Sequence, residues 1–232
     1  PGHSPGHKAT IGVSAHELGH DMGTGAPDLY DTDGSSKGIG CWGLQGSGSW
    51  NTALGHSGTN PALPDPWSRW FFGFITPIEI TGTSPGVWLA RIETALGRNH
   101  GVFQLLPNPA GVNWERGAPG TGEYFLIENR QQAGDFDIAL PGNGLLIWHI
   151  YEPATSNADE GTSPPGNPRI VVLEQADGRF DLECYTTCNS GDNTDPWKVG
   201  TKTTFNGAST PNSRFYTGLT SGVSVTNIST SG

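Results

Sequence analysis

Positive charge is scarce in this chain: 12 Lys and Arg stand against 22 Asp and Glu, a formal net charge of -10. Phosphate backbones are bound through basic patches, so this balance excludes nucleic acid as a partner and fits a secreted protein. No apolar run reaches the length of a membrane span, which excludes a spanning helix. No signal peptide is visible, and Pro1 without a preceding Met is read as an N-terminus made by processing or truncation. Cysteine is rare too, with three in 232 residues. Cys184 and Cys188 lie four apart in a polar loop and read as a small disulfide; a metal clip there would need two more ligands, and none has the usual spacing. Cys41 then remains as a buried thiol beside Trp42, or as a partner for a cysteine outside the chain.

What the sequence has in abundance is glycine (35) and proline (18), against a modest 34% of hydrophobic residues. That composition predicts a turn-rich α+β protein with many short strands, as one large domain or two small ones.

The most informative stretch runs from His16 to Asp31. Positions i and i+4 share a helix face, so His16 and His20 can point two imidazoles at one metal ion. Glu17 sits beside the pair, where a carboxylate suits a general base taking a proton from metal-bound water, as in H-E-x-x-H zinc peptidases. A catalytic zinc ordinarily takes three protein ligands. Gly23, Gly25 and Pro27 stop the helix and turn the chain back, and Asp28 is the first ligand-type residue after that turn. The competing reading is an ordinary surface helix with two histidines.

Around this stretch, residues 1 to 9, with His3 and His7, read as an extended leader. Ile11, Val13, Ala15 and Leu18 mark a helix from Thr10 to about Met22. Asp31-Thr32-Asp33-Gly34 resembles the start of a calcium loop, but Trp42 stands where its Glu should be, so an Asx-type turn is expected. Asp65-Pro66 reads as a helix start, with Trp67, Trp70, Phe71 and Phe74 on one packed face. Strands are expected at 86–92, 101–106, 123–129, 144–150 and 169–174, with a final one around Val223, Val225 and Ile228. Together they suggest an antiparallel, sandwich-like module. His149, in an apolar strand, reads as a satisfied core histidine. Residues 153–168 read as a polar loop. Asp177, Asp181, Glu183, Asp192 and Asp195 are either solvated acids or oxygen ligands for calcium.

Several stretches together resemble the M6 peptidases, the immune-inhibitor-A-like secreted bacterial zinc metalloproteases. They are His16 to Asp33, the glycine-tryptophan turn at 40–50, Glu123 to Arg130, Gly144 to Ile150, and Ser209-Thr210-Pro211-Asn212-Ser213. The resemblance implies the C-terminal part of a metzincin-like catalytic domain (residues 1–75) followed by a β-rich module (76–232), acting on protein or peptide substrates. It implies zinc on His16, His20 and Asp28, general acid/base duty for Glu17, and structural calcium without designated ligands. The sequence departs from the family pattern in three places. Four residues, Thr24 to Pro27, separate Gly23 from Asp28 where the family has two. Gln45 replaces the Met of the turn beneath the metal. Only 15 residues precede His16, so the sheet forming the upper cleft wall is expected from a missing N-terminal segment or a second chain. Two other functions compete: a non-catalytic peptidase-like fragment serving as a structural or surface-binding module, and carbohydrate binding through aromatics such as Trp88.

Overall fold

The computed structural model describes residues 10–94, 101–157, 168–185 and 187–229. The leader with His3 and His7, and most of the polar loop at 153–168, lie outside the described residues.

Helix α1 spans Ile11–Asp21, as the spacing predicts. Its packed face, however, is Gly12, His16 and Gly19, while Ile11 and Leu18 are 54% and 59% exposed. Backbone contact explains the reversal. A Cβ on Gly12 would lie 1.9 Å from the Ser49 carbonyl oxygen, and one on Gly19 would lie 2.6 Å from Gln45 Oε1. The helix therefore rests directly on segment 45–49, which only glycine permits.

Helix α2 spans Pro66–Phe71, and the Asp65 carboxylate caps it by accepting the Ser68 amide at 3.0 Å. Trp67 is fully buried, but the helix stops before Phe74, which is 52% exposed and not part of the packed face.

Five strands form one sheet in the order β1 (Ile78–Ile80), β2 (Val102–Leu105), β3 (Glu123–Arg130), β4 (Gly144–Tyr151), β5 (Val171–Leu173). The β1–β2 pair is parallel and the others are antiparallel. Alternation along β3 and β4 separates two cores, because successive side chains point to opposite faces. Tyr124, Leu126, Leu146, Trp148 and Ile150 meet Leu29, Ile39, Trp42 and Trp67 from the first third of the chain. Phe125, Ile127 and Ile147 meet Trp197 and Phe205 on the other face.

Among the described residues the expected second sheet is absent, since irregular chain covers the far face. Segment 86–92 forms no strand; the edge position is taken by β1, and Trp88 is 79% exposed. Residues 223–228 contribute only an isolated pairing of Phe205 with Val225. Phe103 and Trp148 are buried, so no flat row of strand aromatics remains for a carbohydrate.

A charged network absent from the sequence reading joins the elements on the first face. Arg130 donates to both Asp137 oxygens, at 2.7 and 2.6 Å, to Glu128 at 3.1 Å, and to the carbonyls of Trp42 and Leu63. Arg69 of α2 also pairs with Glu128. Burial works against the Arg130 charge, but Asp137 and Glu128 outweigh it and raise its pKa. His149 is indeed satisfied, between Glu123 at 3.1 Å and Glu174 at 3.3 Å and stacked on Tyr216. The Cys184–Cys188 disulfide is formed and Cys41 is free and partly buried. Asp31 accepts from Asp33, Ser35 and Ser36 as an Asx-type turn does.

Candidate metal centre

Helix α1 ends at Asp21 and the chain reverses through Gly23 and Gly25, with φ of 61° and 89°. These are left-handed values that favour glycine. The Gly25 amide donates to the Met22 carbonyl and the Ala26 amide to that of Gly19, folding the four-residue spacer against the end of the helix. The turn returns Asp28 to α1. Asp28 Oδ1 lies 3.1 Å from His16 Nε2 and 3.2 Å from His20 Nε2, and the two Nε2 atoms are 3.2 Å apart.

The other ring nitrogens are spoken for. His16 Nδ1 donates to the Leu44 carbonyl at 2.8 Å and His20 Nδ1 to the Ala26 carbonyl at 2.8 Å. A carbonyl can only accept, so each Nδ1 carries a proton, and Nε2 is the atom left to give a lone pair to a metal ion. Three ligands on a tetrahedral zinc with bonds of about 2.0–2.1 Å are separated by roughly 3.3 Å, so this donor set fits such an ion. Backbone carbonyls behind the imidazoles are the usual means of fixing ring orientation at a metal.

The electrostatics agree with close approach of unlike groups. Burial pulls the His16 pKa down, but the Asp28 hydrogen bond and the Leu44 carbonyl outweigh it and leave it raised. Burial pushes Asp28 up, yet its contacts with His16, His20 and Tyr30 hold it below the usual carboxylate value. Glu17 is exposed on α1 next to His16.

Two contributors were missed by the sequence reading. Tyr30 hydrogen-bonds Asp28 and stacks on His16 with ring centroids 5.9 Å apart. It was detectable in principle, two residues beyond a candidate ligand. Arg116 Nη2 donates to the Ala26 carbonyl at 2.9 Å, the same oxygen that holds His20. Arg116 is 90 positions from Ala26, and no sequence pattern signals that contact.

Gln45 lies under α1, fully buried. Its Nε2 donates to the His16 carbonyl at a long 3.4 Å, while Oε1 has no partner among the described residues. A buried acceptor without a donor costs about 1–3 kcal/mol. Gln45→Met, which removes it, is expected to raise the thermal midpoint by a few degrees, at roughly 2–4 °C per kcal/mol for a chain of this size. A calorimetric scan that returned a lower midpoint would contradict the stated cost of Oε1.

The segment holding all of these positions except Arg116 is also where similarity to known proteins lies. The family model described as "Immune inhibitor A peptidase M6, catalytic domain" matches residues 4–74. Over 65 residues the chain is 42% identical to the pre-pro-metalloprotease PrtV of Vibrio cholerae serotype O1, covering 27% of this chain and 7% of that protein. Over 64 residues it is 41% identical to Immune inhibitor A of Bacillus thuringiensis subsp. alesti, covering 27% and 9%. The matched stretch thus spans less than a tenth of either relative. No solved structure matches the chain. Residues 4–74 are therefore similar to the catalytic domain of the M6, immune-inhibitor-A-like metalloproteases.

Proposed function

We propose that this chain carries the working centre of a zinc-dependent endopeptidase that hydrolyses peptide bonds in proteins. The observation that carries the reading is the convergence of His16 Nε2, His20 Nε2 and Asp28 Oδ1 within 3.2 Å of one another, with both Nδ1 atoms engaged by carbonyls. His16, His20 and Asp28 would hold the zinc. When bound, the ion supplies Lewis acidity towards a peptide carbonyl and lowers the pKa of a water.

The remaining work falls to the chain's own residues. The exposed Glu17 carboxylate takes the proton from the attacking water and hands it to the departing amine. The Leu44 and Ala26 carbonyls keep the imidazoles aimed, and Arg116 steadies the Ala26 carbonyl from a distant part of the chain. Tyr30, packed on His16 and bonded to Asp28, acts as a positioning residue for both. Because the donor set is intact and the similarity is to metalloproteases, the non-catalytic module is the weaker reading. We take the protein to work outside the cell, in keeping with its loop disulfide. Among the described residues no helix is long and apolar enough to cross a membrane.

The direct test is incubation of the zinc-loaded protein with an unstructured polypeptide. Internal cleavage that stops on chelation and returns with zinc supports the reading; an intact substrate under zinc-loaded conditions removes it.

A further inference from the structure

His149 of β4 stands apart from the metal centre, on the sheet face that carries Phe125 and Phe205. Each of its ring nitrogens meets a carboxylate. Nε2 lies 3.1 Å from Glu123 Oε1 on β3, and Nδ1 lies 3.3 Å from Glu174 Oε1 just past β5. An ionised carboxylate only accepts, and a neutral imidazole has a single N–H. Both contacts are satisfied together only when the ring carries two protons, as the imidazolium.

The same point receives the C-terminal part of the chain. Phe205 and Val225 pair through their backbones and close the base of a loop, and Phe205 is buried there against Phe125 and Trp197. The loop tip, closed by the Phe215 amide on the Leu219 carbonyl, meets the sheet through Tyr216. The Tyr216 amide donates at 2.6 Å to Glu123 Oε1, the oxygen that also faces His149 Nε2. Its ring stacks on the imidazole, with centroids 4.4 Å apart and planes 11° apart, and Tyr151 packs edge-on against it. A cation held over an aromatic face is attracted to it, so the charged ring binds Tyr216 more firmly than the neutral one.

The titratable groups around His149 are Glu123 from β3, Tyr151 from β4, Glu174 after β5 and Tyr216 from the loop, with Arg169 and Glu183 paired behind them at 3.8 Å. Burial works against the His149 charge, but Glu123 and Glu174 outweigh it and leave the pKa raised. Burial lifts the Tyr216 hydroxyl well above its usual value, so that ring stays neutral while His149 titrates. Burial also pushes Glu183 up to about 7, against the pull of Arg169.

We propose that the His149 imidazolium is a pH-sensitive latch for the C-terminal loop 206–224: protonated, it joins Glu123, Glu174 and Tyr216 into one docked unit, and on losing its proton it lets the loop tip leave the sheet. Once the ring is neutral, one nitrogen presents a lone pair to a carboxylate oxygen, and the charge between Glu123 and Glu174 is gone. Glu123, whose side chain is 16% exposed against 11% for Glu174, is the better placed to turn to water, and it carries away the acceptor of the Tyr216 amide. The base of the loop stays in place through Phe205, so the opening is local. A histidine whose pKa is raised by docking stabilises the docked form fully below its ordinary value of 6.5, and that stabilisation is lost as the pH rises through the raised value. One proton is released, so the opening equilibrium grows by at most about tenfold per pH unit and levels off above the pKa of the docked ring. Glu183 acts in the same direction lower down, from its ordinary 4.5 to about 7, so readings above pH 7 isolate His149.

The test is amide hydrogen exchange on the zinc-loaded full chain from pH 6 to 9, with every rate divided by the intrinsic rate at that pH. Protection of 211–222 should fall above pH 6.5 by up to about tenfold per unit, while β3 and β4 keep theirs. In His149→Gln the loop should exchange as fast at pH 6 as wild type does at pH 9, with no remaining pH dependence. Glu123→Gln, altered at a partly exposed position, keeps an oxygen for the Tyr216 amide but removes one carboxylate from the imidazolium. Its protection should level off at lower pH and fall by less in total. Loop protection in wild type that is flat across this range, the same fall retained in both variants, or loss of β3 and β4 protection in step with the loop would overturn the proposal. The readout requires no peptidase activity, so it stands apart from the test of the zinc centre.

Discussion

Glu17→Gln should lower kcat for peptide hydrolysis by about 10²–10⁴-fold, the range typical for removing a general acid/base. The substitution preserves size and leaves His16, His20 and Asp28 untouched, so zinc content should equal that of wild type. The side chain is exposed, and no structural burden falls on it that the amide could not bear. A glutamine can neither accept the water proton nor return it to the amine. The expected signature is therefore a fall in kcat and in kcat/KM together, with KM little changed. Turnover within a few-fold of wild type would take Glu17 out of the chemistry.

The largest stability effect is expected at Arg130. Its guanidinium is fully buried and shared between Asp137 and Glu128, and it also binds the Trp42 carbonyl that lies between the sheet and the turn at 40–46. Arg130→Met leaves two buried carboxylates short of their counter-charge, with only Arg69 still paired to Glu128. Breaking one side of a buried ion network costs about 3–5 kcal/mol, because the orphaned charges stay behind. Urea unfolding should show a loss of that size. Adding Asp137→Asn to Arg130→Met should recover part of it, since the network matters through uncompensated charge and not through net attraction. A loss under 1 kcal/mol would mean that water reaches the pair.

How far the sequence disclosed this molecule depended on the kind of information each feature needs. α1, the Asp65 cap and strands β2 to β5 were legible because periodicity and capping are local. The packed face of α1 was not legible, because backbone contact selects Gly12 and Gly19, which carry no side chain to mark the buried side. Phe74 was misplaced for a related reason: hydrophobic character does not say whether anything covers a residue, and Phe74 stands in the open. β1 was overlooked because three residues carry too little pattern, and it pairs with β2 in parallel, apart from the antiparallel run of β2 to β5.

At the candidate centre, the His16, Glu17 and His20 spacing could be read directly, and Asp28 could be nominated as the next ligand-type residue. Its approach to the histidines depends on two positive-φ glycines and two backbone hydrogen bonds that a residue count cannot reveal. The groups that orient the imidazoles are main-chain carbonyls of Leu44 and Ala26. Such atoms belong to every residue, so no side-chain pattern points to them.

Asp28 is also where the most direct measurement lies. Zinc would be counted by elemental analysis on protein purified without chelators, in wild type and in Asp28→Ala side by side. One zinc per chain in wild type, falling well below one in the variant after dialysis against the same buffer, is the predicted result. Equal zinc in both proteins, or none in wild type after zinc has been supplied, would contradict a three-ligand centre built from His16, His20 and Asp28.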